Sequence, residues 1–515
     1  MKNSSRTKKA FINTAMGIFN RFSNTIFSFA LRTVFIYTLG IQYTGVSSVF
    51  TDILTMLSLS ELGISTAIAT ALYKPLHEKD DKKIQKLMNF YKLAYRYIAI
   101  FIFCAGILLL PFLDNLITDV PDIKENIKVI FLLYITKTSA SYLLIYKTTI
   151  LDADQKQYII KWYETGCTFF KYLIEIALLI IFKNFMLYLL LEVVLTITQN
   201  IIITKRAKNE YPNIFKKNNE KLEKGEIKKL FGDIKALSMY RISGSIGNSI
   251  DNILVSSFLG TSMVGILSNY TLIRKQLENI ILQFFYSITP SLGNLVAEGN
   301  TEKQISIFNK VFYISFLIVN FCAVTMFIVF TPFIKFWIGD EYLLSYAISF
   351  VISFDFFLYV LLQAIASFRT ANGLFVKGQY RPLITAILNI ILSIILIRKM
   401  GIFGTILSTI ICRLATQWYD PYILFKNVFK LSFRKFYSKY LKYIIIFISG
   451  SIISYSISSI INTNYEIINI LINLLIGITV PNVIAILFTF RTEEFKNLVE
   501  LVNKKLIKKL RRKNK

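Results

Sequence analysis

The sequence predicts an all-α integral membrane protein with about fourteen transmembrane helices, built as two parallel six-helix lobes followed by two further helices. Three observations predict it. Of 515 residues, 54% are hydrophobic, with 44 Phe and a mean hydropathy of +0.53, more apolar surface than a water-soluble core can hide. Apolar runs long enough to cross the hydrocarbon recur along the chain. Between them, loops rich in Lys and Arg alternate with loops that lack them.

The candidate helices, in order, lie at 10–38, 45–72, 88–113, 126–148, 158–182, 184–204, 231–258, 264–291, 305–333, 343–368, 380–398, 402–425, 437–461 and 467–490. The apolar stretch after the basic start Met1–Lys9 runs past residue 30 without a small-residue cleavage site, so it reads as a first span and not a secretory signal. Residues 73–87 carry five lysines, 205–229 nine basic residues and 426–442 six, whereas the turns at 39–44 and 259–263 carry no charge. The connections at 114–123 and 462–466 hold only acidic charges; the turn Arg398-Lys399 is the mild dissent. Cytoplasmic loops are the basic ones, so both termini are expected in the cytoplasm. The +28 net charge is thus a topology signal, and nucleic acid is not an expected partner.

The phrase Leu-Gly, four residues, Gly occurs at Leu39–Gly45 and again at Leu259–Gly265. Sliding residues 8–84 against 228–304 without a gap gives 18 identities in 77 positions, including Arg21 with Arg241, Thr51 with Thr271 and Glu78 with Glu298. The repeated phrase is then the turn between the first two helices of each half. Six helices separate the copies, so the repeat is parallel, its axis along the membrane normal. The expected organisation is a first lobe at 1–204, a linker at 205–230, a second lobe at 231–425, two spans at 437–490 and a basic tail at 491–515.

Two such lobes leave a central cavity, and the charges inside the spans say what it would hold. A charge at the bilayer centre costs about 2.5–3.5 kcal/mol, so it is expected to face a wet or protein interior. Arg21 and its repeat mate Arg241 sit mid-helix; Arg32, Arg274, Lys275, Lys137 and Arg413 add positive charge. An anion is the natural occupant. The structural alternatives are ion pairs: Arg32 with Asp52 or Asp251, Lys171 with Glu175, and Arg274 with Glu278, the last two at the four-residue helical spacing. Glu61 and Asp355 are the candidate coupling-ion carboxylates, for H+ or Na+, or else internal counter-ions.

Other chemistry is thinly represented. Cys104, Cys167, Cys322 and Cys412 show no paired spacing and His77 is the lone histidine, so disulfides, metal centres and His-dependent catalysis are not expected, nor is a cofactor. In the tail, Phe495, Leu498, Val499, Val502, Leu506 and Leu510 repeat at helical spacing, and eight basic residues follow Asn503 without an acid. That pattern suits an interfacial helix on anionic lipids, or simply a basic end that fixes topology.

The stretch from Arg32 to Arg96, "RTVFIYTLGIQYTGVSSVFTDILTMLSLSELGIS…YKLAYR", with the twelve-plus-two plan and the 220-residue duplication, resembles the Wzx-type polysaccharide flippases of the multidrug/oligosaccharidyl-lipid/polysaccharide (MOP) exporter superfamily. The resemblance implies a MATE-like fold in a bacterial inner membrane and transport of a polyprenyl-pyrophosphate-linked oligosaccharide to the outer leaflet. It implies a cationic cavity in which Arg21, Arg32 and Arg241 are the positions that fit, and a polysaccharide polymerase and glycosyltransferases as neighbours in the pathway. A drug exporter of the same fold is the alternative, but its cation-coupled members use a carboxylate on the first helix, and residues 10–38 contain no acid. A membrane-embedded polymerase is expected to carry a large external loop with catalytic groups, and none is present.

Overall fold

The computed structural model describes residues 2–500 apart from 62–63, 118–122, 155, 217–219, 375–376, 379 and 462; the side chains of 2–15, 235–248 and a few scattered helical positions also fall outside the description. The chain forms two compact units, residues 1–268 and 269–515.

The first unit contains α1 (Lys2–Leu39), α2 (Ile41–Leu57), a 3-10 turn (Ser58–Glu61), α3 (Ile64–Glu78), α4 (Asp81–Leu109), α5 (Leu113–Leu116), α6 (Ile127–Ile145), α7 (Thr149–Ala153), α8 (Gln157–Phe182), α9 (Phe185–Glu210), α10 (Lys224–Leu259) and the start of α11 (Thr261–Ala297). The second contains the rest of α11, then α12 (Thr301–Ile338), α13 (Tyr346–Leu361), α14 (Gln363–Ala371), α15 (Arg381–Thr416), α16 (Tyr419–Leu424), α17 (Phe433–Ile460) and α18 (Glu466–Thr489). Among the described residues there is no strand. Helices alone fit a bilayer because they satisfy their own backbone groups.

Local sequence sets the boundaries. Side chains of Asp80, Asn126, Asn184, Asn300 and Ser345 accept from backbone N–H groups in the first turns of α4, α6, α9, α12 and α13, and Glu223 forms a capping box with Glu226 at α10. The repeated glycines do the same work twice: Gly40 (φ 96°, ψ 171°) parts α1 from α2, and Gly260 (φ 87°, ψ 163°) parts α10 from α11. Only glycine takes that conformation without strain.

The surface is apolar and the interior partly polar. Leu108, Ile181, Leu475 and Leu487 stand exposed, while Glu175, Asn320, Ser349, Ser353 and Asp355 are buried. That inversion is what a lipid solvent selects. In the second unit α12 lies against α13, α17 and α18; Phe316 stacks on Tyr443 at 3.9 Å, and Gly477 lets α18 close on Thr325 of α12.

Ten helical segments among the described residues are long and apolar enough to cross a membrane. One of them, Arg381–Phe429, holds two of the predicted spans. Gly401 (φ 58°, ψ −139°) breaks it, and Thr385 bonds Thr416 (2.7 Å) while Ser393 bonds Ser408 (2.5 Å). Partner numbers that sum to the same total mark an antiparallel hairpin. The three predicted spans outside this set coincide with α1, with α2 plus α3, and with α10. The sequence reading of 45–72 as one span needs correction, because the 3-10 turn at Ser58–Glu61 divides it and puts Glu61 at a bend. α10, grouped by sequence with the second lobe, packs on α2 and α3 in the first unit.

Candidate functional site

In the first unit the polar residues of α1 repeat at four-residue spacing, which gathers them on one face. Asn24 donates to Asn20 (3.2 Å), and Asn20 donates to Thr165 of α8 (2.7 Å). Two turns farther on, Arg32 is half-buried. Its Nη2 donates to Ser268 Oγ at 3.2 Å, and that hydroxyl spends its own proton on the carbonyl of Gly265 at 2.7 Å. Neither carboxylate considered as a partner in the sequence holds Arg32: Asp52 accepts from Asn252 at 2.7 Å, and among the described residues no carboxylate lies within ion-pair distance of the guanidinium.

Lys137 fares differently. Its ammonium sits 2.9 Å from Glu192 and 4.6 Å from the centre of the Tyr134 ring. Lys171 completes the cluster, 3.7 Å from both Glu192 and Glu175, and donates to Thr196 at 3.1 Å. Two ammonium and two carboxylate groups balance, so Lys137 is an internally neutralised cation. Glu175 is fully buried and both its oxygens lack hydrogen-bond donors.

Lys137 also lines a cavity of about 520 Å3 within this unit, with Glu61, Tyr95, Tyr142, Asp152 and Lys161. Glu61 accepts from the Tyr95 hydroxyl at 2.5 Å, and Lys161 pairs with Glu164 at 2.7 Å. The 3-10 turn that interrupted the predicted span is therefore what delivers a carboxylate to this cavity. Lys156, beside the lining residue Gln157, is bonded to Glu210 (2.9 Å) and Asp154 (3.0 Å). Burial by itself would lower the Lys156 pKa, but those hydrogen bonds hold it above the ordinary lysine range.

In the second unit Asp355 is buried and clamped. Arg413 donates through Nε to Oδ1 (2.7 Å) and through Nη2 to Oδ2 (3.3 Å), while Arg274 donates to Oδ2 at 2.5 Å. Arg274 thus pairs across 81 residues with Asp355, not with Glu278 one turn away. Two guanidinium groups on one carboxylate leave one positive charge, and the Arg413 guanidinium covers the Tyr359 ring at 4.8 Å. A coupling cation at Asp355 would have to displace three hydrogen bonds.

Arg21 is exposed on α1. Arg241 lies along α10, and its side chain falls outside the described residues. Sequence reading missed a second Arg–Asp–Arg cluster, in which Asp420 joins Arg369 and Arg381, the latter at 3.0 Å, while Arg369 also donates to the carbonyls of Leu374 and Lys377. No local spacing signals it, since its members are 51 and 39 residues apart. Among the described residues no group of His, Cys, Asp and Glu could hold a metal ion.

Apolar helices around charged interior clusters define a multi-pass α-helical membrane protein. No family model and no curated protein sequence matches the chain, but solved structures do. It is similar to the lipid II flippase MurJ in an inward closed conformation, with TM-score 0.67 and 16% identity over 95% of this chain and 100% of that one. It is also similar to a variant of the Vibrio cholerae MATE transporter VcmN (TM-score 0.58, 13% identity, 83% of this chain and 99% of the other). A third likeness is to an inward-facing MATE family transporter of the MOP superfamily (TM-score 0.55, 14% identity, 76% and 92%). The chain therefore has the fold these proteins share, as the sequence resemblance implied. All three are named as transporters or a flippase, none as an enzyme.

Proposed function

We propose that the protein is a flippase that carries a polyprenyl-diphosphate-linked oligosaccharide from the cytoplasmic to the outer leaflet of a bacterial inner membrane, with both termini in the cytoplasm. The observation that carries this reading is Arg32, a half-buried guanidinium on the first helix that no described carboxylate neutralises and one serine hydroxyl holds in place. A charge kept within a span without a counter-ion is costly, and a diphosphate entering beside it would repay the cost. Guanidinium binds phosphate through a planar fork of two N–H donors.

The extent of the structural likeness points the same way. The match to the lipid II flippase spans 95% of this chain, and that to the VcmN variant 83%. A lipid-linked anion also explains why α1 carries arginines and no acid, which disfavours the drug-exporter reading. Transport follows by alternating access, the polyprenyl tail staying in lipid while the headgroup crosses the polar interior. Glu61, in a cavity with Lys137, is the residue we assign to coupling with H+ or Na+.

Removing the gene from its host and restoring it on a plasmid tests this reading. Lipid-linked oligosaccharide is expected to accumulate on the cytoplasmic leaflet without the gene, with surface glycan lost, and to clear when the gene returns. Unchanged surface glycan together with increased drug sensitivity would favour the exporter instead.

A further inference from the structure

The second unit holds a cavity that the flippase reading does not use. It measures about 520 Å3 and lies among the ends of α12, α13, α17 and α18, with Asp340, Leu343, Ile461, Thr463 and Asn464 at its rim. The connection at 462–466 has no basic residue, as expected of the outer membrane face. Most ligand pockets are apolar with a few polar groups. This one reverses the proportion, with Asn464, Asn469, Asn473, Ser458, Ser459 and Thr331 among its walls.

Some of that polarity is spent on the fold. Asn469 holds the turn through Thr463, and Asn473 accepts from Ser458 (2.6 Å) and donates to Ile328 O (3.2 Å). The remainder is open. Thr331 Oγ1 is buried without a partner, and among the described residues the Asn464 amide and the hydroxyls of Tyr346 and Tyr455 make no hydrogen bond. A buried hydroxyl left unpaired costs free energy that a ligand can recover. The two tyrosine rings, 5.0 Å apart and T-shaped, are both partly exposed and present apolar faces beside these polar groups.

Charge narrows the class of ligand. Lys335 is bound to Glu466 (2.9 Å) and Asp340 (3.5 Å), so the lining keeps one surplus negative charge and no free cation. A phosphate or uronate would be repelled. Ring faces, amides, hydroxyls and the lack of free positive charge together suit a neutral, polyhydroxylated ligand.

We propose that this cavity binds a neutral saccharide at the outer end of the second unit. It deepens the flippase reading, on which it rests only for the role of the site, by giving the neutral sugars of the carried glycan a docking point separate from the cationic site that takes the diphosphate.

The purified full-length chain in detergent tests it by saturation-transfer NMR and titration with cellobiose, N,N′-diacetylchitobiose and a glucuronate-containing disaccharide. At least one neutral disaccharide is expected to bind saturably, with magnetisation transferred to its ring protons, and the glucuronate to bind more weakly. Thr331→Val removes a hydroxyl with no internal partner, so folding is unaffected while sugar binding weakens; Tyr455→Ala is expected to weaken it about tenfold. Binding by neither neutral sugar, preference for the glucuronate, or indifference to both substitutions would overturn the proposal. Export measured for Arg32 variants reports on the flippase reading alone, and sugar binding to the purified chain on this cavity alone, so either can fail without the other.

Discussion

Gly45 and Gly265, equivalent residues of the 220-residue repeat, meet in the first unit where α2 crosses the start of α11. A Cβ built on Gly45 would stand 1.9 Å from the carbonyl oxygen of Thr261, and one on Gly265 would stand 2.4 Å from that of Ile41. Ile41 and Thr261 are themselves repeat mates, so the contact is reciprocal, as at a two-fold axis. Such close crossings need small residues because backbone meets backbone. Each of Gly45→Ala and Gly265→Ala is expected to destabilise the protein by about 1–3 kcal/mol through overpacking. Gly166→Ala, where a Cβ meets nothing within 4 Å, serves as control and is expected to cost nothing. Thermal unfolding in detergent checks this, and a Gly45→Ala protein as stable as the parent would contradict it.

Asp355 sits between Arg274 and Arg413, so its removal strands two guanidinium groups. Asp355→Ala is expected to cost on the order of 3–5 kcal/mol and to lower protein abundance. Arg274→Ala is expected to be milder, since Arg413 keeps both its bonds to the carboxylate. Normal abundance of Asp355→Ala with transport freed from an ion gradient would instead make Asp355 the coupling residue.

These pairs show where sequence reading stops. Apolar runs, loop charges and the paired glycines are local signals, and they placed the helices and the two turns. The partner of Arg274 was sought four residues away at Glu278, but it lies 81 residues away at Asp355. Lys137 looked free because Glu192 is 55 residues distant. Inside a bilayer an ionisable group finds its counter-ion wherever tertiary packing supplies one, and single-sequence spacing carries no record of that. The 3-10 turn at Ser58–Glu61 was hidden by the hydrophobicity on either side of it, although its serines and glutamate were in plain view.

Glu61 faces the first unit's cavity and accepts from the Tyr95 hydroxyl. Glu61→Gln preserves an acceptor for that hydroxyl while removing the charge. The protein is expected to reach normal abundance, and its transport to lose dependence on the H+ or Na+ gradient. Proteoliposomes with imposed gradients measure this; an unchanged gradient dependence would remove Glu61 from coupling.

Topology follows from the loop charges. Cysteines placed at Gln42 and Ser262, repeat mates beside the two glycine turns, are expected to label with an impermeant thiol reagent in intact cells, in a background lacking the four native cysteines. Those at Lys82 and Lys221 are expected to label only after permeabilisation. Labelling at Lys221 from outside would invert the assignment.

The central claim is that Arg32 receives the diphosphate, and the direct measurement is leaflet transfer of a fluorescent polyprenyl-diphosphate oligosaccharide in proteoliposomes containing equal amounts of the parent, Arg32→Lys or Arg32→Ala protein. The account predicts a loss of about tenfold or more for alanine, matching removal of a charge-assisted hydrogen bond. Partial activity is expected for lysine, which keeps the charge and loses the fork. An Arg32→Ala protein that transfers the lipid at the parent rate would contradict it.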